Sequence, residues 1–261
     1  MNISLAGRRA LITGASEGLG LAMARRFAAS GADVAMLARR PDVLEAAAAS
    51  VRAAAPGRTI VALPCDVANA DAIAATWPKA EAALGGIDIL VNNAGTSKRG
   101  PFPAITDAEW QADLDLKLFA AIRLARLAWP GMAERRWGRI LNVLNIGAKA
   151  PPAEGAPTAV SRAAGMALTK VLANEGAPRG ILVNALLVGI IESAQWVRRH
   201  AAEKRTITWE QWCAEQGAAV PLGRLGTAEE FANVACFLAS DAAGYVTGTA
   251  INVDGGRSPV V

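Results

Sequence analysis

Thr13-Gly14-Ala15-Ser16-Glu17-Gly18-Leu19-Gly20 decides the fold of this 261-residue chain. It follows an apolar run, Ala10–Thr13, and opens an amphipathic stretch, Leu19–Ala29, so it reads as the turn between a first strand and a first helix. Gly14 can take a tight turn, Gly18 lets backbone approach a pyrophosphate, and Gly20 permits close packing of helix on strand. The helix start beyond it supplies unpaired N–H groups and the positive end of a dipole, both suited to phosphate. A glycine trio alone is a weak signal; set between a strand and a helix it is a strong one.

Outward from this loop, short apolar runs alternate with longer alanine-rich amphipathic stretches. Strands are expected at Ala10–Thr13, Asp33–Ala38, Ile60–Pro64, Ile87–Val91, Arg139–Leu144, Ile181–Leu187 and Ala250–Val253. Helices are expected at Leu19–Ala29, Pro41–Ala55, Asp71–Ala83, Asp107–Arg135, Ala156–Asn174 and Thr227–Leu238. Such alternation implies right-handed crossovers and a doubly wound parallel sheet of about seven strands with helices on both faces. No Pro/Gly/Ser linker or repeat divides the chain, so residues 1–261 read as one α/β domain. The stretch from Glu192 to Val220 departs from the pattern: Trp196, His200, Trp209 and Trp212 are mixed with Arg198, Arg199, Lys204 and Arg205. It lies after the sixth strand, where ligands bind in such folds, and reads as a helical lid over the substrate, or as a helical excursion packed on the sheet. Its tryptophans suggest an apolar or aromatic substrate.

Composition narrows the function. With 52% hydrophobic and 19% charged residues the chain has enough apolar surface for a packed core. Its plain apolar run from Ala185 to Ile191 is far short of the roughly 20 residues of a membrane span. The net charge is +4, but the arginine pairs at 8–9, 39–40, 135–136 and 198–199 are scattered and aromatics make up 5%, which argues against nucleic acid. One histidine and three scattered cysteines, Cys65, Cys213 and Cys236, offer no metal-ligand spacing and point to reduced thiols in a cytoplasmic protein. The first strand begins too early to leave room for a cleaved signal peptide.

The spacing T-G-x-x-x-G-x-G at Thr13–Gly20 resembles the short-chain dehydrogenase/reductase family. Cys65-Asp66-Val67, Asn92-Asn93-Ala94-Gly95, Tyr245-Val246-Thr247-Gly248 in what reads as a final strand, and Val253-Asp254-Gly255-Gly256 resemble further segments of it. The likeness runs from Leu5 to Gly256. It implies a single Rossmann-type domain, often a homodimer or homotetramer, binding a nicotinamide cofactor for work on a small molecule. It places Gly14, Ser16, Glu17, Gly18, Leu19 and Gly20 at the phosphates, Asp66 and Val67 by the adenine, and Asn93, Ala94 and Gly95 along the cleft. Arg162 falls at the nicotinamide ribose. Gly189 and Ile191 fall at the nicotinamide end, where Val188-Gly189 replaces the usual proline-glycine pair. At the end of the second strand, Leu37-Ala38-Arg39-Arg40 lacks the acid that would hold both ribose hydroxyls. Two guanidinium groups there can grip a 2′-phosphate, which favours NADP(H) over NAD(H).

The catalytic tetrad implied by the resemblance is substituted throughout. Its asparagine falls on Lys117, its serine on Asn145, its tyrosine on Thr158 and its lysine on Arg162. Arg162 keeps a positive charge, and Asn145 can donate an amide hydrogen bond to a carbonyl. Thr158 is the decisive change, because an aliphatic hydroxyl has a pKa far above the phenol's roughly 10. Lys117, if buried beside Arg162, would have its pKa depressed toward a useful range. His200, Glu154 and Glu192 are weaker acid/base candidates. Three readings stay open: an atypical NADP(H)-dependent oxidoreductase acting on a carbonyl, alcohol or imine; a catalytically dead nucleotide-binding scaffold; and a repurposed lyase or isomerase using Lys117 as base or Schiff-base nucleophile.

Overall fold

A computed structural model of the chain describes residues 3–192, 197, 200–201 and 207–261. Seven strands, β1 (Arg9–Thr13), β2 (Asp33–Ala38), β3 (Ile60–Pro64), β4 (Ile89–Asn92), β5 (Gly138–Asn145), β6 (Ile181–Val188) and β7 (Ala250–Val253), form one sheet in the order β3-β2-β1-β4-β5-β6-β7. Every pairing is parallel. The central strands are largely apolar and buried along most of their length because helices cover both faces. On one face α1 (Gly18–Ala29), α2 (Pro41–Ala54) and α8 (Ala228–Ala239) bury Met23, Phe27, Leu44 and Phe231. On the other, α3 (Ala70–Leu84) and α5 (Ala120–Glu134) bury Ile73, Trp77, Leu124 and Met132; α6 (Thr158–Gly176) lies on β5 and β6.

Local chemistry sets the helix starts. The Asn69 side chain accepts from two backbone N–H groups at the start of α3. Capping boxes open α4 (Asp107–Leu114, Thr106 with Glu109), α7 (Trp209–Gly217, Thr208 with Gln211) and α8 (Thr227 with Glu230). The start of α1 has no side-chain cap, so its N–H groups are left for a ligand. The chain reverses its direction of winding between β1 and β4, and the carboxyl ends of those strands make the crevice where such sheets bind ligands.

Three expectations are corrected. The stretch expected as one helix over 107–135 is α4, a π-helical turn at Asp115–Phe119, and α5. The wide turn holds the buried Lys117, as π-turns often do at functional side chains. The fourth strand starts at Ile89; just ahead of it the Asp88 carboxylate is ion-paired with Arg9 and Arg135. Tyr245 lies in an exposed turn ahead of β7, not in a strand. Much of the expected lid, including Trp196, Arg198, Arg199, Lys204 and Arg205, lies outside the described residues. His200, a weaker acid/base candidate of that stretch, is half-buried edge-on to Trp209 and Trp212, with Nε2–H donating to the Ile207 carbonyl at 3.1 Å.

Candidate active site

A cleft of about 690 Å³ opens at the carboxyl ends of β1, β2, β4 and β5. Gly14, Ser16, Glu17, Gly18 and Leu19 border it, with Arg39, Arg40, Asp66, Val67, Asn93, Ala94, Gly95, Asn145, Thr158 and Arg162. Thr13 builds the cradle. Its hydroxyl accepts the N–H groups of Asn93 and Ala94, both at 2.9 Å, and the Asn93 side-chain amide donates to the Thr13 carbonyl at 2.9 Å. Gly20 packs so tightly that a Cβ there would overlap the Gly14 carbonyl oxygen. Nothing larger than glycine lets α1 come this close to the loop, and its uncapped N-terminus therefore points at the crevice.

At the outer end, Arg39 and Arg40 are exposed beside Ala38. The Arg40 guanidinium pairs with the Glu17 carboxylate at 2.5 Å, a contact between the glycine loop and the turn after β2 that sequence distance conceals. Asp66 caps its own turn by accepting from the Ala68 N–H at 3.1 Å. At the inner end, Gly95 leaves room for Arg162, whose guanidinium a Cβ would meet. Arg162 donates to the Val143 carbonyl at 2.7 Å, while its Nε and the Asn145 Oδ1 are buried without a hydrogen-bond partner. Burial lowers the Arg162 pKa to about 10, against the raising effect of the Asp113 carboxylate, so it stays cationic at neutral pH.

Behind this floor lies a buried polar cluster. Lys117 stands with its side chain 1% exposed and its ammonium donating to Asp113 and, at 2.7 Å, to the Thr158 hydroxyl. The other Asp113 oxygen accepts from the Ser161 hydroxyl at 2.6 Å. Thr158 accepts from the Lys98 N–H at 3.0 Å and donates to the Lys98 carbonyl at 2.7 Å, tying α6 to the loop after β4. Burial pushes the Lys117 pKa down to about 8; the Asp113 hydrogen bond opposes that fall and the Arg162 charge adds to it. Thr158 borders the cleft and Lys117 stands one residue behind it.

The sequence reading therefore finds most of its residues in one place, with Gly189, Ile191, Glu154 and Glu192 as exceptions. Val188, not Gly189 or Ile191, borders the cleft at the end of β6; Gly189 packs against Asp254 and Ile191 is buried beside Gly226. Glu154 and Glu192 are exposed and do not border it. Asp113 and Ser161 were missed, though Asp113 and Lys117 stand at the i, i+4 spacing of paired helix residues. Among the described residues no cluster of His, Cys, Asp or Glu could hold a metal ion.

A doubly wound sheet with a glycine-built phosphate cradle at its switch point defines a dinucleotide-binding protein. Residues 14–258 match the profile of a family described as enoyl-(acyl carrier protein) reductase, and the chain belongs to the short-chain dehydrogenase/reductase family. Nodulation protein G of Rhizobium sp. (strain N33) is 40% identical, covering 98% of this chain and 99% of its own. The crystal structure of L-sorbose reductase from Gluconobacter frateurii, in complex with NADPH and L-sorbose, superposes with a TM-score of 0.95 at 34% identity, each chain covered fully. An NADPH-bound short-chain oxidoreductase of Pseudomonas aeruginosa PAO1, containing an atypical catalytic centre, has a TM-score of 0.92 at 37% identity, with 99% of each chain covered.

Proposed function

We propose that this chain is an NADP(H)-dependent oxidoreductase that interconverts a carbonyl and an alcohol, or reduces an imine, on a small molecule at an altered centre. The observation that carries the reading is the buried contact of the Lys117 ammonium with the hydroxyl of Thr158, a residue that borders the cleft, beside the cationic Arg162. The cofactor is NADP(H): the glycine cradle fits the pyrophosphate, Arg39 and Arg40 fit a 2′-phosphate, and the orphaned Arg162 Nε and Asn145 Oδ1 fit hydroxyl and amide groups at the inner end. Two similar proteins, the sorbose reductase and the Pseudomonas oxidoreductase, bind NADPH.

NADPH, when bound, supplies the hydride. The protein's part is to orient the carbonyl and deliver a proton. Arg162 and the Asn145 amide stabilise negative charge developing on the substrate oxygen. Thr158 cannot ionise near neutrality, so it works as a relay: its hydroxyl turns from the Lys98 carbonyl to the substrate oxygen and passes its proton there as the Lys117 proton passes to Thr158 Oγ. Lys117 is left as a neutral amine, to be reprotonated from water. Oxidation reverses each transfer.

A scaffold without catalysis is favoured by one observation: the Thr158 hydroxyl already accepts two hydrogen bonds and donates one within the protein. A Schiff base on Lys117 is disfavoured by its burial. Exposed Phe119, Leu127, Val160 and Val171 on the π-turn, α5 and α6 support a homodimer or homotetramer through that face. A cytoplasmic setting fits the three free cysteines; among the described residues no helix is long and apolar enough to cross a membrane. The test is titration with NADPH and NADH, followed by NADPH consumption with a panel of ketones and imines. Selective NADPH binding with turnover is the expected result; tight binding without turnover of any carbonyl or imine favours the scaffold.

A further inference from the structure

We propose that Asp113 is a positioning residue of this centre, its carboxylate locking Lys117 against Thr158 from one side and Ser161 from the other. The inference rests on the relay reading above and adds to it the group that fixes the relay's geometry and charge. Three donors or potential donors converge on this one buried carboxylate. The Lys117 ammonium contacts Oδ1, the Ser161 hydroxyl donates to Oδ2 at 2.6 Å, and the Thr158 hydroxyl lies 3.4 Å from Oδ1. Asp113 and Lys117 are on successive turns of one helical run, while Thr158, Ser161 and Arg162 come from α6. Asp113 thus bridges the two elements that bring Lys117 to the cleft wall.

Charge explains why a carboxylate is needed. Two cations, Lys117 and Arg162, face this pocket, and Asp113 is the acid that offsets them; the other facing groups are the hydroxyls of Thr158 and Ser161 and the Lys98 backbone. Without it the ammonium, already pushed down to about 8 by burial and by Arg162, would lose what holds it protonated. An amine neutral at working pH has no proton to pass to Thr158. Ser161 fixes the carboxylate's rotation, so that Oδ1 stays on Lys117.

The test uses the full chain carrying ¹³C-labelled lysine, with the six lysines of the sequence resolved by NMR and Lys117 assigned through K117R. The wild-type Lys117 signal should titrate near 8. In Asp113→Asn it should titrate at least tenfold in proton affinity below the wild type, and Asp113→Glu should restore it. Ser161→Ala should move it in the same direction, downward, by less than Asp113→Asn, since the carboxylate is no longer held with Oδ1 on Lys117. NADPH affinity, read in each variant, should change by less than the Lys117 proton affinity, because the glycine loop and Arg39 and Arg40, which hold the phosphates, make no contact with Asp113 or Ser161. With a turned-over carbonyl, kcat of Asp113→Asn should fall while KM holds, and the pH above which reduction fails should shift down with the Lys117 titration. A Lys117 titration unchanged in Asp113→Asn and Ser161→Ala would overturn the assignment. If Lys117 moves as expected but the wild type reduces no carbonyl, the positioning role stands and the reductase reading falls.

Discussion

Replacing Asp113 by Leu should lower stability by about 2–4 kcal/mol at neutral pH, and the sum can be worked from its neighbours. The Lys117 ammonium would lose its counter-charge, but it can escape by releasing its proton. With a folded pKa of about 8, that release at pH 7 costs about 1.4 kcal/mol beyond the wild type, which caps this part of the loss. Arg162 has no such escape, since its pKa is about 10, and it keeps an uncompensated charge. Ser161 loses the acceptor at 2.6 Å, worth about 1 kcal/mol. Urea unfolding measures the total, against a typical domain stability of about 5–15 kcal/mol. Replacing the pair together, Asp113→Leu with Lys117→Met, should recover the Lys117 part, up to about 1.4 kcal/mol, because two fitted apolar side chains replace a desolvated ion pair. A single-variant loss below about 1 kcal/mol, or a double variant weaker than the single, would refute the pairing.

Other outcomes follow from the same geometry. Lys117 has a folded pKa of about 8 against an ordinary 10.5, so the unfolded chain holds a proton the folded one has shed between those values. Its contribution therefore makes stability rise with pH across that window, by about 3 kcal/mol in all, and the double variant should lose this slope in urea melts at stepped pH. Arg39→Ala with Arg40→Ala should weaken NADPH binding by roughly 10–100-fold and leave NADH binding unchanged, read by nucleotide fluorescence. Glu17→Gln should release Arg40 and tighten NADPH by up to about fivefold, within the reach of an exposed ion pair.

The residues that were legible act through local backbone or chain order. The glycine cradle declares itself because only glycine lets α1 pack against its own loop, and that constraint lies within eight consecutive residues. Strand and helix alternation follows from apolar periodicity, and Arg39 and Arg40 follow from the end of β2. What stayed hidden depends on contacts between distant segments. Glu17 was expected at the phosphates, but its ion pair with Arg40 shows only once the chain after β2 is brought against the loop. Lys117 was expected beside Arg162, but its main partner is Asp113, on its own helical run, and the π-turn that seats it leaves no mark in composition. Thr158 read as a lost tyrosine; the structure makes it the junction between Lys117 and the Lys98 backbone, which only the β4 loop could supply.

Thr158→Val tests the central claim most directly, because it removes the relay hydroxyl and keeps the side chain's shape; urea unfolding, run alongside, reads the separate loss of its hydrogen bonds to Lys117 and the Lys98 backbone. Reduction of a carbonyl by NADPH is compared in the wild type and the variant, with NADPH affinity measured alongside. The relay predicts turnover in the wild type, a drop of roughly 10²–10⁴-fold in kcat for Thr158→Val, and unchanged NADPH binding. Equal turnover in the two proteins would contradict it, placing the proton source elsewhere in the cleft.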